Sequence, residues 1–425
     1  RLVGVGQSNA ARAVLDRAME RGYRLGLPAG NAAEQAAVGA IWRSDTGAVA
    51  RASARYSPPM QLIGKLYRKG TGWKADWIFV DAGRVLSKWS TEHSDARAAM
   101  AGGADGGADA AGSPPLAEVR CDNAAPVGPK GTWRHTIVSP TIVAFGTPRH
   151  RGVDLVLSAS AEQRVRGDIK YGFLSSTTPV EKSLEDEVVE VWGCVSEGTW
   201  QKLGEAITDT SGGFDLPLVG ANRLGVGLRP LYLSLVGDRS GARMLALVAP
   251  PGTVLAVTDV DGTQTASESA FPESLLTGNP VVAQDYGPQM MQAMKGQRHY
   301  PVYLTSRGRY FTQQSRDWLA ERGYPLGPLH LAGSLITIPG EETVAYKADA
   351  LKEMTDAGLK LGAGVGNRKS DVEAYERAGL PAARIFIKRP EYDAELMPIY
   401  AAGRAQGVQR YSDLAASVLT FPPGP

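Results

Sequence analysis

Val254-Leu255-Ala256-Val257-Thr258-Asp259-Val260-Asp261-Gly262-Thr263-Gln264-Thr265 is the stretch whose reading decides the fold. An apolar run rich in β-branched residues stops at two carboxylates one residue apart, and Gly-Thr follows at once. Such a run reads as a strand buried in a parallel sheet, and open α/β sheets present their ligands beyond the carboxyl ends of their strands. A bare Asp-x-Asp is as readily an acidic turn; Asp-x-Asp-Gly-Thr behind an apolar strand is far more selective. Two oxygen ligands this close suit a hard cation such as Mg²⁺. An ionised Asp beside a cation can also attack phosphorus. Gly262 lets the backbone turn sharply, and Thr263 offers a hydroxyl.

Downstream, strand-like and helix-like patterns alternate, which implies a mainly parallel sheet with helices on both faces. A helix starting near Pro288 carries Met290, Met291 and Met294, read as core packing rather than a cofactor box. A strand over 301–304 precedes a helix with Phe311, Trp318 and Leu319 inward. Lys347 opens another helix, with Leu351 and Met354 inward. A strand over 361–365, a helix with Val372 and Tyr375, and a strand over 384–387 complete the series.

Three of these segments carry chemistry. Val302-Tyr-Leu-Thr305-Ser306-Arg307-Gly308 ends a strand in two hydroxyls, an arginine and a glycine, a combination suited to a phosphate as well as to a plain helix cap. Lys347 is ordinarily a solvated charge, but phosphoryl transfer needs a cation on the non-bridging oxygens. Gly362-Ala-Gly364-Val-Gly366-Asn367-Arg-Lys-Ser-Asp371 fails the G-x-G-x-x-G dinucleotide fingerprint and fits better as a loop presenting Asn367 and Asp371 to the same cation.

Upstream the pattern changes. From 133 to 250, short alternating runs separated by turn signals imply an antiparallel β-sandwich. Only Pro250-Pro-Gly-Thr253 joins it to the acidic strand, so the two must pack closely. Residues 98–132 read as a flexible linker; Ala-Met-Ala-Gly-Gly-Ala-Asp-Gly-Gly and its continuation are almost without large side chains. Residues 1–97 read as a small α/β region of unknown role, with a helix capped near Ser8 or Asn9 and ended by Gly22, and strand-like pieces over 61–67 and 77–80. His93 stands alone and reads as a surface residue.

The 425 residues carry a net charge of +2, with 43% hydrophobic and 21% charged side chains, so nothing global points to nucleic acid. No apolar stretch is long enough to span a bilayer; a soluble or peripherally membrane-bound protein is expected, its compartment unspecified. Cys121 and Cys194 are too few for a disulfide framework or a zinc site; two buried free thiols are expected, with a single bridge as the alternative. A chain beginning at Arg1 is expected to be a processed form or a fragment.

The four chemistry-bearing stretches, in this order, resemble the haloacid dehalogenase (HAD) superfamily of phosphohydrolases. The resemblance implies a HAD-like Rossmannoid domain over 251–425, with Asp259 as nucleophile, Asp261 as general acid/base, and Thr305 and Lys347 on the phosphoryl group. Gly262, Thr263, Ser306 and Arg307 would surround the phosphate, and Asp259, Asp261, Asn367 and Asp371 would hold Mg²⁺. The superfamily more often has Asp where Asn367 stands. A closer resemblance covers most of the chain from about His150. Asp168-Ile-Lys-Tyr-Gly172, Leu203-Gly-Glu-Ala-Ile-Thr-Asp-Thr-Ser-Gly-Gly-Phe214, Leu224-Gly-Val-Gly227 and Gly237-Asp238 look like the sandwich of membrane-associated phosphatidylinositol transfer proteins. Tyr303-Leu-Thr-Ser-Arg307, Trp318-Leu-Ala-Glu-Arg-Gly-Tyr-Pro325 and Asp371-Val-Glu-Ala-Tyr375 look like the LNS2 domain that follows it there. Gly366-Asn367-Arg368 and Asp371 followed by Tyr375 are similar to lipins, the Mg²⁺-dependent phosphatidate phosphatases. In the transfer proteins the nucleophile position is degraded and the domain is thought to bind phosphatidic acid without hydrolysis; here Asp259 and Asp261 both stand, as in lipins. The resemblance implies a phospholipid or other phosphomonoester substrate, peripheral membrane contact and either hydrolysis or binding without turnover. The intervals from Thr263 to Thr305 and on to Lys347 leave little room for a cap domain, so an open site is expected.

Overall fold

The structure is a computed structural model that describes residues 115–173, 181–271, 280–333 and 340–425, together with the backbone of five strands nearer the amino terminus. Those five, β1 (Val3–Gly4), β2 (Ala50–Ser57), β3 (Met60–Lys69), β4 (Gly72–Asp81) and β5 (Arg84–His93), form an antiparallel sheet in sequential order. The helix expected before Gly22 and the low-complexity part of the linker lie outside the described residues.

The sandwich begins earlier than expected. Residues 115–132, read from sequence as linker, lie along it: Val119 N donates to Leu228 O and Gly131 N to Val236 O, each at 2.8 Å. Cys121 is bonded to Cys194, with Cα atoms 6.0 Å apart, so the expected free thiols are instead a bridge tying this strap to the sheet. Helix α1 (Val138–Phe145) follows, and then the strands β6 (Thr147–Pro148), β7 (Arg151–Val153), β8 (Leu155–Ser158), β9 (Gln163–Asp168), β10 (Lys170–Gly172), β11 (Glu181–Ser183), β12 (Val188–Ser196), β13 (Thr199–Ile207), β14 (Gly213–Leu218), β15 (Gly227–Leu235) and β16 (Gly241–Ala249). They form a five-stranded sheet ordered β13-β12-β15-β16-β8 and two three-stranded ones, β11-β10-β6 and β14-β9-β7. The alternation that marks β9 as half-buried, with Gln163, Val165 and Gly167 in and Arg164 and Arg166 out, is the period-two pattern of a sheet with one wet face.

The remainder is a six-stranded parallel sheet built from β17 (Val254–Thr258), β18 (His299–Gly308), β19 (Leu329–Ala332), β20 (Lys360–Gly366), β21 (Ile385–Lys388) and β22 (Gln406–Val408). Its order, β19-β18-β17-β20-β21-β22, puts the first strand in the middle with the second and fourth on either side, the doubly wound arrangement whose crevice opens at the reversal point. Around it lie α2 (Gly287–Gly296), α3 (Thr312–Glu321), α4 (Glu341–Asp356), α5 (Lys369–Arg377), α6 (Asp393–Ala401) and α7 (Tyr411–Val418). Leu255 and Val257 of the central strand share one core with Leu351 and Met354 of α4, while the fully buried Met290, Met291 and Met294 pack α2 against β17 and β18.

Sandwich and parallel sheet share that core: Val156, Leu245, Leu247 and Ala249 lie in one cluster with Leu255, Val257 and Met354. Asp154, whose side chain is fully buried, clasps the joint by accepting from the amides of Leu245 and Leu329, each at 2.8 Å, and from Arg316 at 3.0 Å. The short connection read from sequence therefore has its consequence in packing.

Candidate active site at the end of the central strand

Asp259 follows β17 directly, and its amide donates to Val365 O of the neighbouring β20 at 2.9 Å, so the sheet's own hydrogen bonding carries the carboxylate to the strand end. The chain then turns at Gly262 with φ of +66°, where a Cβ would stand 2.0 Å from Asn367 Nδ2. Only glycine supplies both the left-handed turn and that clearance. Gly262 N donates to Thr265 Oγ1 at 2.8 Å, and Tyr411 OH to Thr263 O at 2.8 Å, fixing the turn from both sides.

Lys347 lies in the middle of α4 rather than opening a helix. Gly340, with φ of +123°, precedes the helix, and Glu341 and Glu342 occupy the first turn, where carboxylates favour a helix N-terminus. Lys347 is buried, not solvated, and its Nζ stands 2.6 Å from Asp259 Oδ1 and 2.6 Å from Asp371 Oδ1. Burial works against its charge, but the two carboxylates hold the ammonium well above its usual range. Asp371, in the first turn of α5, uses its other oxygen to accept the amides of Asn367 at 2.9 Å and Arg368 at 3.0 Å. Gly366 leaves room for this: a Cβ there would fall 2.4 Å from that of Asp371.

On the opposite side, Asp261 is held by Arg307, whose Nη2 stands 2.5 Å from Oδ1 and Nε 3.2 Å from Oδ2. Thr305 Oγ1 reaches the same Oδ2 at 3.2 Å. The remaining Arg307 nitrogen donates to Ser315 Oγ at 2.7 Å, and the guanidinium lies 3.6 Å from the Phe271 ring centroid. Arg307, expected on the phosphate, is thus fully occupied in positioning Asp261. Ser306 is half-buried at the end of β18, beside Thr305.

The electrostatic balance is uneven. Burial pushes the Asp259 carboxyl up to about 8, with Lys347 pulling against it and Asp371, Glu268 and Asp261 adding to the rise. Burial also pushes Glu268 up to about 7, opposed by its hydrogen bond from Asn367 and reinforced by Asp261 and Asp371. Four carboxyl groups face two cations, Lys347 and Arg307. Sequence reasoning missed Glu268; it lies in a polar run, Ser267-Glu268-Ser269, with no local signal to set it apart.

The oxygen donors fit a small hard cation. Among the described residues no three His, Cys, Asp or Glu side chains gather closely enough to hold a metal ion. Asp261 is engaged by Arg307, and Asp371 by Lys347 and two amides. What remains is an excess of acceptors. Asn367 Nδ2 donates to Glu268 Oε2 at 2.8 Å, which turns Asn367 Oδ1 toward Thr263 at 3.1 Å, while Asp259 Oδ2 faces the same hydroxyl at 3.0 Å. One hydroxyl hydrogen cannot satisfy both oxygens. Mg²⁺ needs only one or two carboxylates, completed by waters and phosphate oxygens, and Asp259 with Asn367 meets that requirement.

Residues 148–248 match the family model described as the β-sandwich domain of PITM 1–3, and residues 256–388 match that of the LNS2 domain of PITM 1–3. Human membrane-associated phosphatidylinositol transfer protein 3 is 26% identical over 272 residues, covering 63% of this chain and 26% of that one. Drosophila melanogaster protein retinal degeneration B is 26% identical over 270 residues, 63% of this chain and 20% of that one. The matched stretch thus spans about a quarter or less of these relatives' own length. A solved structure from Mesorhizobium loti described as HAD-like is 15% identical and covers 40% of this chain and 88% of that one, at a TM-score of 0.29; the fold rests on the strand order above, not on so loose an overlap. The sandwich and the parallel-sheet region resemble the C-terminal part of the membrane-associated phosphatidylinositol transfer proteins. No helix among the described residues is long and apolar enough to cross a membrane.

Proposed function

We propose that residues 251–425 form a Mg²⁺-dependent phosphomonoesterase acting on phosphatidic acid or a related lipid phosphate. The observation that carries it is Lys347 Nζ, 2.6 Å from Asp259 Oδ1 in the buried crevice at the reversal point of the sheet, with Asp261 two residues on. A cation fixed beside a carboxylate at a strand end is the arrangement that in-line attack on phosphorus needs.

Asp259 attacks phosphorus as the bond to the leaving alkoxide breaks, giving an aspartyl-phosphate, and Asp261 gives that oxygen its proton. Asp261, now ionised, takes a proton from water; the water oxygen attacks the same phosphorus and releases phosphate and Asp259. Lys347 offsets charge on the phosphoryl oxygens while Arg307 and Thr305 hold Asp261 in place. Mg²⁺, when bound at Asp259 and Asn367, neutralises the phosphate's charge and keeps Asp259 ionised at neutral pH. The test is phosphate release from phosphatidic acid in mixed micelles, with and without Mg²⁺; wild-type turnover that Asp259→Asn abolishes supports the reading, and equal turnover by the variant sinks it.

A second reading, a phosphatidic-acid-binding module without turnover, is favoured by two observations. Asp261 is tied to Arg307 through both oxygens, and Asp259 is pushed toward its neutral form. Saturable binding to phosphatidic acid with no phosphate release in Mg²⁺ would select it.

A further inference from the structure

Helix α1 is an apolar projection that neither reading uses. Ser139 is buried and Ile142 and Val143 pack into the sandwich core, but Ile137 is 79% exposed, Val138 55% and Phe145 78%. Val138, Thr141 and Phe145 fall at i, i+3 and i+7, so they line one stripe of the helix. The other large exposed apolar residues are scattered singly along the described chain, as on any soluble surface.

The projection is anchored at both ends. The amides of Arg134 and His135 donate to the two oxygens of the buried Glu187, each at 3.1 Å. At the other end Gly146 sits against Tyr171, where a Cβ would stand 2.8 Å from the tyrosine's own. Between Asp122 and Asp154 the sequence has no acidic residue, while Lys130, Arg134, Arg149 and Arg151 are basic. Of the basic residues near the helix, Arg134 is paired with Asp186 at 2.9 Å and the buried Arg151 with Asp168 and Glu181, which leaves Lys130 and Arg149. Lys130 is exposed, and Arg149 has its Nε buried without a hydrogen-bond partner. The Arg149 guanidinium lies 5.5 Å from the ring centroid of Tyr310, three residues beyond Arg307, so the same segment runs from α1 to the rim of the candidate active site.

We propose that α1 and its flanks are a membrane-contact surface that seats Ile137, Val138 and Phe145 in the headgroup boundary of an anionic bilayer, with Lys130 and Arg149 on lipid phosphates. An apolar tip flanked by the exposed Lys130 and by Arg149, with Asp186 at its base already engaged by Arg134, matches the chemistry of that interface. Three side chains expose well under the ~800 Å² per partner that a stable protein interface needs, which sets a protein partner second. The proposal does not depend on hydrolysis.

The test is flotation of the full chain with phosphatidylcholine vesicles, alone or with phosphatidic acid or phosphatidylserine. Wild type is expected to float with both anionic compositions, more weakly as salt rises, and Ile137→Ser/Phe145→Ser to lose binding by roughly tenfold or more. Because those positions are exposed, the double variant is expected to keep its melting temperature and any activity on a soluble phosphomonoester. In Phe145→Trp, bromo-acyl lipids should quench emission beyond the wild-type level. Vesicle binding by the double variant equal to wild type would overturn the proposal, as would an indole at position 145 that stays unquenched on bound vesicles, or a self-association that the double variant abolishes. Lipid binding through α1 with no phosphate release on any substrate would uphold the proposal and sink the hydrolytic reading alone.

Discussion

Two sets of buried charged groups, one in and around the sandwich and one at the end of the central strand, differ in charge balance. In and around the sandwich, Asp154 is met by Arg316 and two amides, and Arg151 by Asp168 at 2.9 Å and Glu181 at 2.6 Å. At the end of the central strand four carboxyl groups share two cations, and two oxygens share one hydroxyl hydrogen. A matched cluster holds a fold together. An unmatched one is tolerated only where something else completes it, which is why perturbed carboxylates in a crevice mark functional candidates.

The largest effect should follow from touching the unmatched cluster. Asp259→Asn removes the nucleophile but also one unwanted charge, so activity on phosphatidic acid should fall by ~10³-fold or more, about 4 kcal/mol of transition-state stabilisation, with the melting temperature unchanged or raised. Loss of activity together with a lower melting temperature would mean that Asp259 belongs with the matched kind. Asp154→Ala should do the reverse. It strands Arg316 and two amides and should lower the unfolding free energy by about 3–5 kcal/mol, read from denaturant midpoints, while the folded fraction keeps its turnover.

The difference between the clusters also explains what was legible in the sequence. Asp259, Asp261, Thr305, Asn367 and Asp371 each sit at or just beyond the end of a strand, so local pattern located them. Lys347 was visible as a residue but not in its setting, because the helix start lies six residues earlier, at Glu341, among residues with no apolar stripe to announce it. Glu268 and the engagement of Arg307 with Asp261 were invisible, since both depend on which loops meet in space. The disulfide was undetermined for the same reason: its partners lie 73 residues apart. The strands from β12 to β16 were readable from alternation; β10 and β11, three residues each, are too short to show a period.

His150 offers a test of balance by pH. Its Nδ1 accepts from Lys170 N at 3.3 Å and its Nε2 lies 2.7 Å from Ser240 Oγ, whose hydroxyl in turn donates to Asp238 Oδ1 at 2.6 Å. That chain needs a neutral imidazole, and burial pushes His150 down to about 4 from its usual 6.5. The fold therefore favours the uncharged form. Stability is intact above pH 6.5 and is lost as the unfolded chain takes up the proton first, by ~3 kcal/mol once pH reaches about 4. Urea unfolding of wild type and His150→Gln at pH 7 and pH 4.5 should show the larger loss in wild type; equal losses would mean the imidazole is free to charge in place.

The smallest expected effect separates the clusters most sharply. A cation that completes Asp259 and Asn367 binds the folded chain only, so Mg²⁺ at 100 times its dissociation constant should raise unfolding free energy by about 2.7 kcal/mol. The gain should vanish in Asp259→Asn and persist in Asp154→Ala, whose deficit lies at the joint. It should also be larger near pH 6.5 than pH 5, because protonating Asp259 and Glu268, which burial pushes up to about 8 and about 7, competes with the ion. If thermal unfolding shifts equally in all three chains, Mg²⁺ is binding elsewhere, and the acceptor excess at Thr263 is met by water alone.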